Sequence, residues 1–519
     1  MKLFNKILFL GITLASLVSC TEGFEEANTN PNDITEGSIQ AYNMFEPLLY
    51  DSANDWLYNT WFWNDELIQF TAFTGGTTRQ EHRYSISNSN WLSMWNLYAG
   101  YASNAVHMYD LAVEQDDESL QAVALTLKVL YMSNLTDMFG DIPYSEAFTA
   151  GKEGGTTTPA FDTQEEVYNE MFEELETANK IYAEKPSFVK SSLDGMYDGD
   201  IESWQKFNNS LYLRLLCRVS GRSEMEVGTK MTEIINDSTD YPIFTSNADN
   251  ATVNFTGSDP YRNEFADYTE STFTSSGRKL TQQLIKMTVI TDSNGDQTYV
   301  DPRLPIIGKI NTSKTVWKGT VSGCTQEEQN TVDAGTSWLN AAVFCRAAAP
   351  SCFMDYAEVE FILAEAALKG YISGGESAAK TYYEKAVTAS LEKWSDLGQY
   401  SETAVSISSS DITTFLASDL ASWDNASDKE ELIADQKYLA LFWIGMEAYH
   451  EYRRTGYPVL TIGDGALNDK ILPTRFAYPA TTVATNAANA QEAIDRLGGS
   501  NDMKSPLWWS EQAIEEDNN

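Results

Sequence analysis

Residues 354–394, MDYAEVEFILAEAALKGYISGGESAAKTYYEKAVTASLEKW, narrow the choice of architecture more than any other stretch. Tyr356, Val359, Leu363 and Ala366 follow the spacing of an amphipathic helix. Glu365 and Lys369 lie one turn apart and are assigned to its wet side, where such a pair adds roughly 0.3 kcal/mol. Gly370 and the pair Gly374 and Gly375 then end the helix and permit a reversal. Ala379, Tyr383 and Ala386 restart the pattern as small, aromatic, small. That is the packing face of a tetratricopeptide-type hairpin: the small residues admit a second helix and the ring fills the gap. One such hairpin cannot bury its apolar face alone, so others are expected elsewhere in the chain.

Further helical patterns meet that requirement. Residues 42–68 read as a long helix rich in rings, with Trp56, Tyr58, Trp61, Phe62 and Trp63. Residues 91–110 and 120–139 continue the helical period. Thr163 with Glu166 three residues on is a capping box for a helix running to about Tyr182. In residues 200–220, Trp204, Phe207, Leu211, Leu215 and Val219 form one stripe, with Arg214 and Arg218 one turn apart. Between about 240 and 350 the period fades into loops, short apolar runs and turns. Residues 292–296, DSNGD, look like a calcium loop, but the EF-hand glycine and bidentate glutamate positions hold Gln297 and Arg303, so the segment is read as a turn. Residues 433–453 are expected to form one more long helix, stopped by Gly456 and Pro458.

The 519 residues carry 75 acidic against 35 basic side chains, which disfavours nucleic acid and charge-driven binding to anionic membranes. The same excess makes any close pair of carboxylates a weak catalytic signal. Residues 1–19 read as a signal peptide: Lys2 and Lys6, then a mostly apolar stretch too short to span a bilayer. It ends Leu17, Val18, Ser19, Cys20, which resembles the bacterial lipobox, with Cys20 as the acylated residue. Two or three acyl chains would anchor the chain stably without a spanning helix. Residues 20–35 form the linker and 36–519 one domain with an irregular insert at about 240–350.

Catalytic signals are missing. The three histidines are His82, His107 and His450, and no zinc-protease, serine-hydrolase or phosphate-loop motif occurs. No cofactor or metal is required, and the chain is read as a non-enzyme. Cys217 reads as a small core residue. Cys324, Cys345 and Cys352 allow one disulfide in an exported protein, with the pairing open.

Several segments together resemble the SusD/RagB family of outer-membrane nutrient-binding lipoproteins, on its SusD-like side. They are the lipobox with residues 28–33; Trp204 to Leu211 with Arg214; Asp301 to Leu304; Ala357 to Val359 with Ala364 to Ala366; Gln436 to Tyr438; Arg453 to Pro458; Arg475 with Tyr478 and Pro479; and Trp508 with Trp509. One departure is Thr482 to Ala484 before Asn486 and Asn489, where relatives often carry a glutamate. The resemblance implies a mostly α-helical protein with about four tetratricopeptide-like hairpins and an irregular, loop-rich ligand-facing part. It implies a lid-like partnership with a SusC-like TonB-dependent transporter, and a lipid-anchored, cell-surface position on the outer membrane. The acidic residues after Cys20 resemble a surface-export signal of lipoproteins in the Bacteroidota, or serve as a solvated linker. Most hallmark residues, among them Trp204, Arg214, Glu365 and Arg453, are read as scaffold. The ligand is expected to be an oligosaccharide, or a peptide as the RagB side of the family permits; a glycoside hydrolase with paired carboxylates is the third reading. By position in relatives, the ligand-contact candidates are Trp63, Asp65, Gln69, Phe73, Arg79 and Tyr84, then Trp317 and Trp338. A ring stacked on a sugar contributes about 0.5–1.5 kcal/mol by analogy with aromatic pairs. Two or three such contacts give affinities weaker than roughly micromolar.

Overall fold

The structure, a computed structural model, describes residues 39–76, 80–274, 277–311, 314–332 and 335–518. The signal peptide, Cys20, residues 28–33 and Arg79 lie outside the described residues.

Helix α1 (Ala41–Asn59) passes through a π-helical turn at Thr60–Asn64 into the short segment Asp65–Leu67. Four antiparallel hairpins follow: α2 (Asn88–Glu114) with α3 (Glu118–Phe139), α4 (Gln164–Ala183) with α5 (Ile201–Arg218), α6 (Tyr356–Leu368) with α7 (Gly375–Gly398), and α8 (Lys429–Ala440) with α9 (Glu447–Thr455). They stack in chain order, α3 against α4, α5 against α6 and α6 against α8. The starts are fixed by side-chain caps. Asp117, Thr163, Asp200, Asp355 and Asp428 each accept a backbone N–H of the first turn, and Thr163 with Glu166 completes the expected capping box. Ala379, Tyr383 and Ala386 are buried on α7, as their spacing requires. Among the described residues no helix is long and apolar enough to cross a membrane.

Two helical expectations need correction. Residues 433–453 are not one helix: α8 ends at Ala440, and a turn separates it from α9, with Trp443 at φ +71° and Gly445 at φ +53°. A Cβ on Gly445 would meet the Trp56 ring at 2.3 Å, so the chain must change direction where α1 crosses it. Glu365 is not on a wet face. Residues 357–367 of α6 are buried all round, and Glu365 is 6% exposed.

Glu365 survives burial because it belongs to an ion-paired network threaded between the hairpins. Arg454 of α9 holds it at 2.8 and 2.5 Å and also pairs with Glu451. Lys437 of α8 reaches Glu451 at 2.9 Å. Arg214 of α5 forks onto Glu358 of α6 at 2.7 and 2.6 Å, and Arg218 pairs with Asp137 of α3 at 3.1 Å and with Glu447. Burial alone would raise the Glu365 carboxyl, but the Arg454 and Lys369 charges outweigh it and hold the group well below the usual carboxylate range. Cys217 is buried beside this network. His450 is also packed, its Nε2 3.4 Å from Asn134 Oδ1, with Arg453 beside Nδ1.

The irregular insert contributes most of the strands, all two to four residues long and paired antiparallel. They are β1 (Thr71–Phe73), β2 (Ala251–Val253), β3 (Arg278–Leu280), β4 (Val289–Thr291), β5 (Gln297–Val300), β6 (Gly308–Lys309), β7 (Trp338–Leu339) and β8 (Ser351–Met354), joined as β1 to β3, β2 to β8, β4 to β5 and β6 to β7. Residues 292–296 are the turn of the β4–β5 hairpin, where Asp292 accepts the N–H groups of Asn294 and Asp296. Cys345 and Cys352 carry free thiols, so no disulfide links them to each other or to Cys324.

Candidate functional site

Short backbone pairings gather segments from 70, 280, 318 and 338 into one patch. Ala72 of β1 faces Lys279 of β3, and Lys309 of β6 faces Trp338 of β7. Between these pairs Leu280 N–H donates to Ser337 O, Thr320 N–H to Leu280 O, and Ser337 N–H to Lys318 O. Gly75 and Gly277 touch backbone to backbone: a Cβ on Gly277 would sit 2.3 Å from Gly75 Cα. No larger residue fits that crossing.

A buried ion pair pins β1 to β3. Glu66 Oε1 accepts from Arg278 Nη1 at 2.6 Å and from Thr71 Oγ1 at 2.9 Å, while Oε2 accepts the Phe73 N–H at 2.8 Å. Arg278 also donates to Trp61 O at 2.6 Å and lies 4.3 Å over the Trp61 ring. Both partners are essentially unexposed.

The structure brings Gln69, Phe73, Trp317 and Trp338 into this patch, and buries all of them except Trp338. Gln69 donates to Tyr84 Oη at 3.2 Å and to Thr461 O at 3.1 Å, so Gln69 and Tyr84 fix the loop from inside. Phe73 packs under Gly75. Trp317 is held by Gln297, which accepts its N–H and donates to its carbonyl at 2.9 and 2.7 Å. Trp63 is buried and packs edge-on against Phe62 and Phe476. Asp65 is fully buried beside Asn64, and burial pushes its carboxyl well above the usual range against the pull of Arg278. Of the described candidates, Trp338 alone is half-buried.

One lysine lies over that ring in a chain dominated by acids. The Lys279 ammonium lies 5.1 Å over Trp338 and has no carboxylate partner among the described residues. Lys309 sits opposite in register and bridges Glu270 and Glu402 at 2.7 and 2.8 Å. Lys314, Thr315, Val316 and Lys318, on the segment flanking Trp317, are exposed. A half-buried indole with the Lys279 ammonium beside it can stack on an apolar ring, and that ammonium can donate to the ring's hydroxyls. Sequence reasoning missed the lysines and the Glu66–Arg278 pair. Lys279 and Lys309 belong to strands too short to show a period, and nothing local to Glu66 announces Arg278, 212 residues away in the chain.

His82 is buried and its Nδ1 accepts the Gly323 N–H at 3.1 Å; burial lowers its pKa, so the ring is neutral and structural.

A family model described as starch-binding and associating with the outer membrane, SusD-like, matches residues 31–479. Among solved structures the chain is similar to a chitin-binding protein (25% identity, TM-score 0.73, 91% of this chain and 99% of the other). It is also similar to a SusD homologue of Bacteroides fragilis (24%, TM-score 0.73, 91% and 99%). A chitin-binding SusD homologue of Flavobacterium johnsoniae resembles it at 23% identity and TM-score 0.69, over 90% and 98% of the two chains. No curated protein matches.

Proposed function

Because the chain belongs to the SusD-like family, we propose that it is a non-catalytic glycan-binding lipoprotein of the outer membrane. It captures oligosaccharide at the Trp338 patch and passes it to a SusC-like TonB-dependent transporter. Cys20 carries the acyl anchor, so the chain hangs from the membrane through lipid. The observation that carries this reading is the half-buried Trp338 ring with the Lys279 ammonium over it, on short strands and loops held by a helical frame. An uncharged sugar suits this patch: its C–H face takes the indole, and its hydroxyls accept from ammonium groups without needing a fixed counter-charge. Two similar proteins are chitin-binding, and chitin is of that chemistry.

The test is a calorimetric screen of the mature protein against chitin- and starch-derived oligosaccharides and against peptides of similar length, with each ligand recovered afterwards. Saturable binding of an oligosaccharide, recovered at its original length, is the expected result. Binding of peptides alone, or shortened sugar chains, would overturn the proposal.

A further inference from the structure

Gln297, the first residue of β5, does with its side chain what a neighbouring strand would do with its backbone. Its Nε2 donates to Trp317 O at 2.7 Å, and its Oε1 accepts the Trp317 N–H at 2.9 Å. A carboxamide carries both the donor and the acceptor that this tie needs; a carboxylate or a hydrocarbon does not. The tie falls on an outlying segment: Lys314, Thr315, Val316 and Lys318 are exposed, and Trp317 between them is buried. The Trp317 ring lies against the bare backbone of Gly308, where a Cβ would sit 3.2 Å from Cζ3.

From Trp317 the connection reaches the ligand patch within two residues. Lys318 O accepts the Ser337 N–H at 2.8 Å, and Ser337 Oγ accepts the Lys318 N–H at 3.2 Å. Ser337 is fully buried, and its carbonyl also takes the Leu280 N–H at 2.9 Å. The next residue after Ser337 is Trp338, and the residue before Leu280 is Lys279, whose ammonium lies over the indole. The far end of β5 is fixed to the helical frame. Asp301, which directly follows β5, donates its N–H to Thr288 O at 2.7 Å and pairs with Arg303. The Arg303 guanidinium donates to Gln436 Oε1 of α8 at 2.9 Å and to Ser390 Oγ of α7 at 3.1 Å. All four of these side chains are buried. A continuous strut therefore runs from α7 and α8 through β5 and Gln297 to the backbone beside Trp338.

We infer that Gln297 is a positioning residue of the glycan patch: through the Trp317 clamp and the Lys318–Ser337 pairing it holds the Trp338 indole in the placement that stacks on a sugar. A ring already held where the ligand needs it leaves less ordering to be done on binding, and affinity rises accordingly. The competing role is a local one, in which Gln297 only stabilises its own hairpin. Its amide spends donor and acceptor on Trp317 rather than on β4, which favours the strut. The role rests on the glycan reading for its ligand and deepens it, because Gln297 acts without touching the sugar.

A double-variant cycle on the mature protein tests it, read by calorimetry with the oligosaccharide that the wild-type protein binds and by amide hydrogen exchange without ligand. Gln297→Ala is expected to weaken binding about fivefold, the scale of one or two lost hydrogen bonds. Gln297→Met, which keeps the bulk but neither hydrogen bond, should match it. In the Trp338→Ala background Gln297→Ala should change affinity by less than about twofold, because it acts through the ring. Without ligand, the Lys318 and Ser337 amides should exchange at least about tenfold faster in Gln297→Ala, with the α6 amides unchanged. Unchanged affinity in Gln297→Ala, wild-type affinity in Gln297→Met, an equal loss with and without the Trp338 ring, or unchanged exchange at Lys318 and Ser337 would each overturn the inference. If the wild-type protein binds no oligosaccharide, the glycan reading fails on its own, and the exchange result alone decides whether Gln297 holds the strand that carries Trp338.

Discussion

In the helical stack, Arg214, Arg218, Lys437 and Arg454 meet Asp137, Glu358, Glu365, Glu447 and Glu451 in one buried network that joins α3, α5, α6, α8 and α9. On the loop face, the buried pair Glu66 with Arg278 pins β1 to β3 and a second buried pair, Asp301 with Arg303, follows β5, while the backbone pairings are only two to four residues long. The contrast separates two tasks. Buried charges tolerate few arrangements, because each must find its partner at short range, so the network fixes how the hairpins sit. The short strands leave side chains such as Trp338 and Lys279 free to vary without disturbing that frame.

The sharpest way to break the comparison is to remove one cation from the stack. Arg214→Ala strands Glu358 and is expected to cost about 3–5 kcal/mol in urea unfolding. A loss below about 1 kcal/mol would mean that the network does not hold the frame. Arg278→Ala should cost about 3 kcal/mol and, unlike Arg214→Ala, should also abolish oligosaccharide binding in the fraction that stays folded, because β1 and β3 lose their pin. Equal binding by the two variants would erase the proposed division.

Asp435 on α8 sharpens the point from the other side, as a carboxylate that lacks a partner for Oδ1 among the described residues. Burial pushes its pKa up to about 7, with Glu431 adding and Lys286 opposing. The folded state then keeps its proton between about pH 4 and pH 7 while the unfolded chain releases it, so wild-type stability falls across that window as pH rises. Asp435→Asn removes this dependence. It should be neutral at pH 4 and stabilising by on the order of 2 kcal/mol at pH 8. A gain of equal size at both pH values would rule out titration as the cause.

Periodicity carried the frame. The small-aromatic-small face of α7, the Thr163–Glu166 box and the stripe of α5 are local patterns, and each appears where its spacing places it. What failed was anything set by distant partners. Glu365 looks wet beside Lys369, because nothing in its own helix announces Arg454. Residues 433–453 look continuous, because the break depends on Trp56 of α1 pressing on Gly445. The same limit explains the site. Trp63, Asp65, Gln69 and Tyr84 are ligand candidates only by position in relatives, and all four side chains are buried by distant segments. Trp317 and Trp338 were legible as a pair of rings in the insert, whereas the strands that bury one and leave the other half-buried are too short to give a period.

The most direct test of the account is a calorimetric titration of Trp338→Ala with the oligosaccharide that the wild-type protein binds, run beside a urea unfolding curve. Removing one half-buried stacking ring should weaken binding about tenfold while costing no more than about 1 kcal/mol of stability. Unchanged affinity in a fully folded variant would contradict the placement of the glycan at this patch.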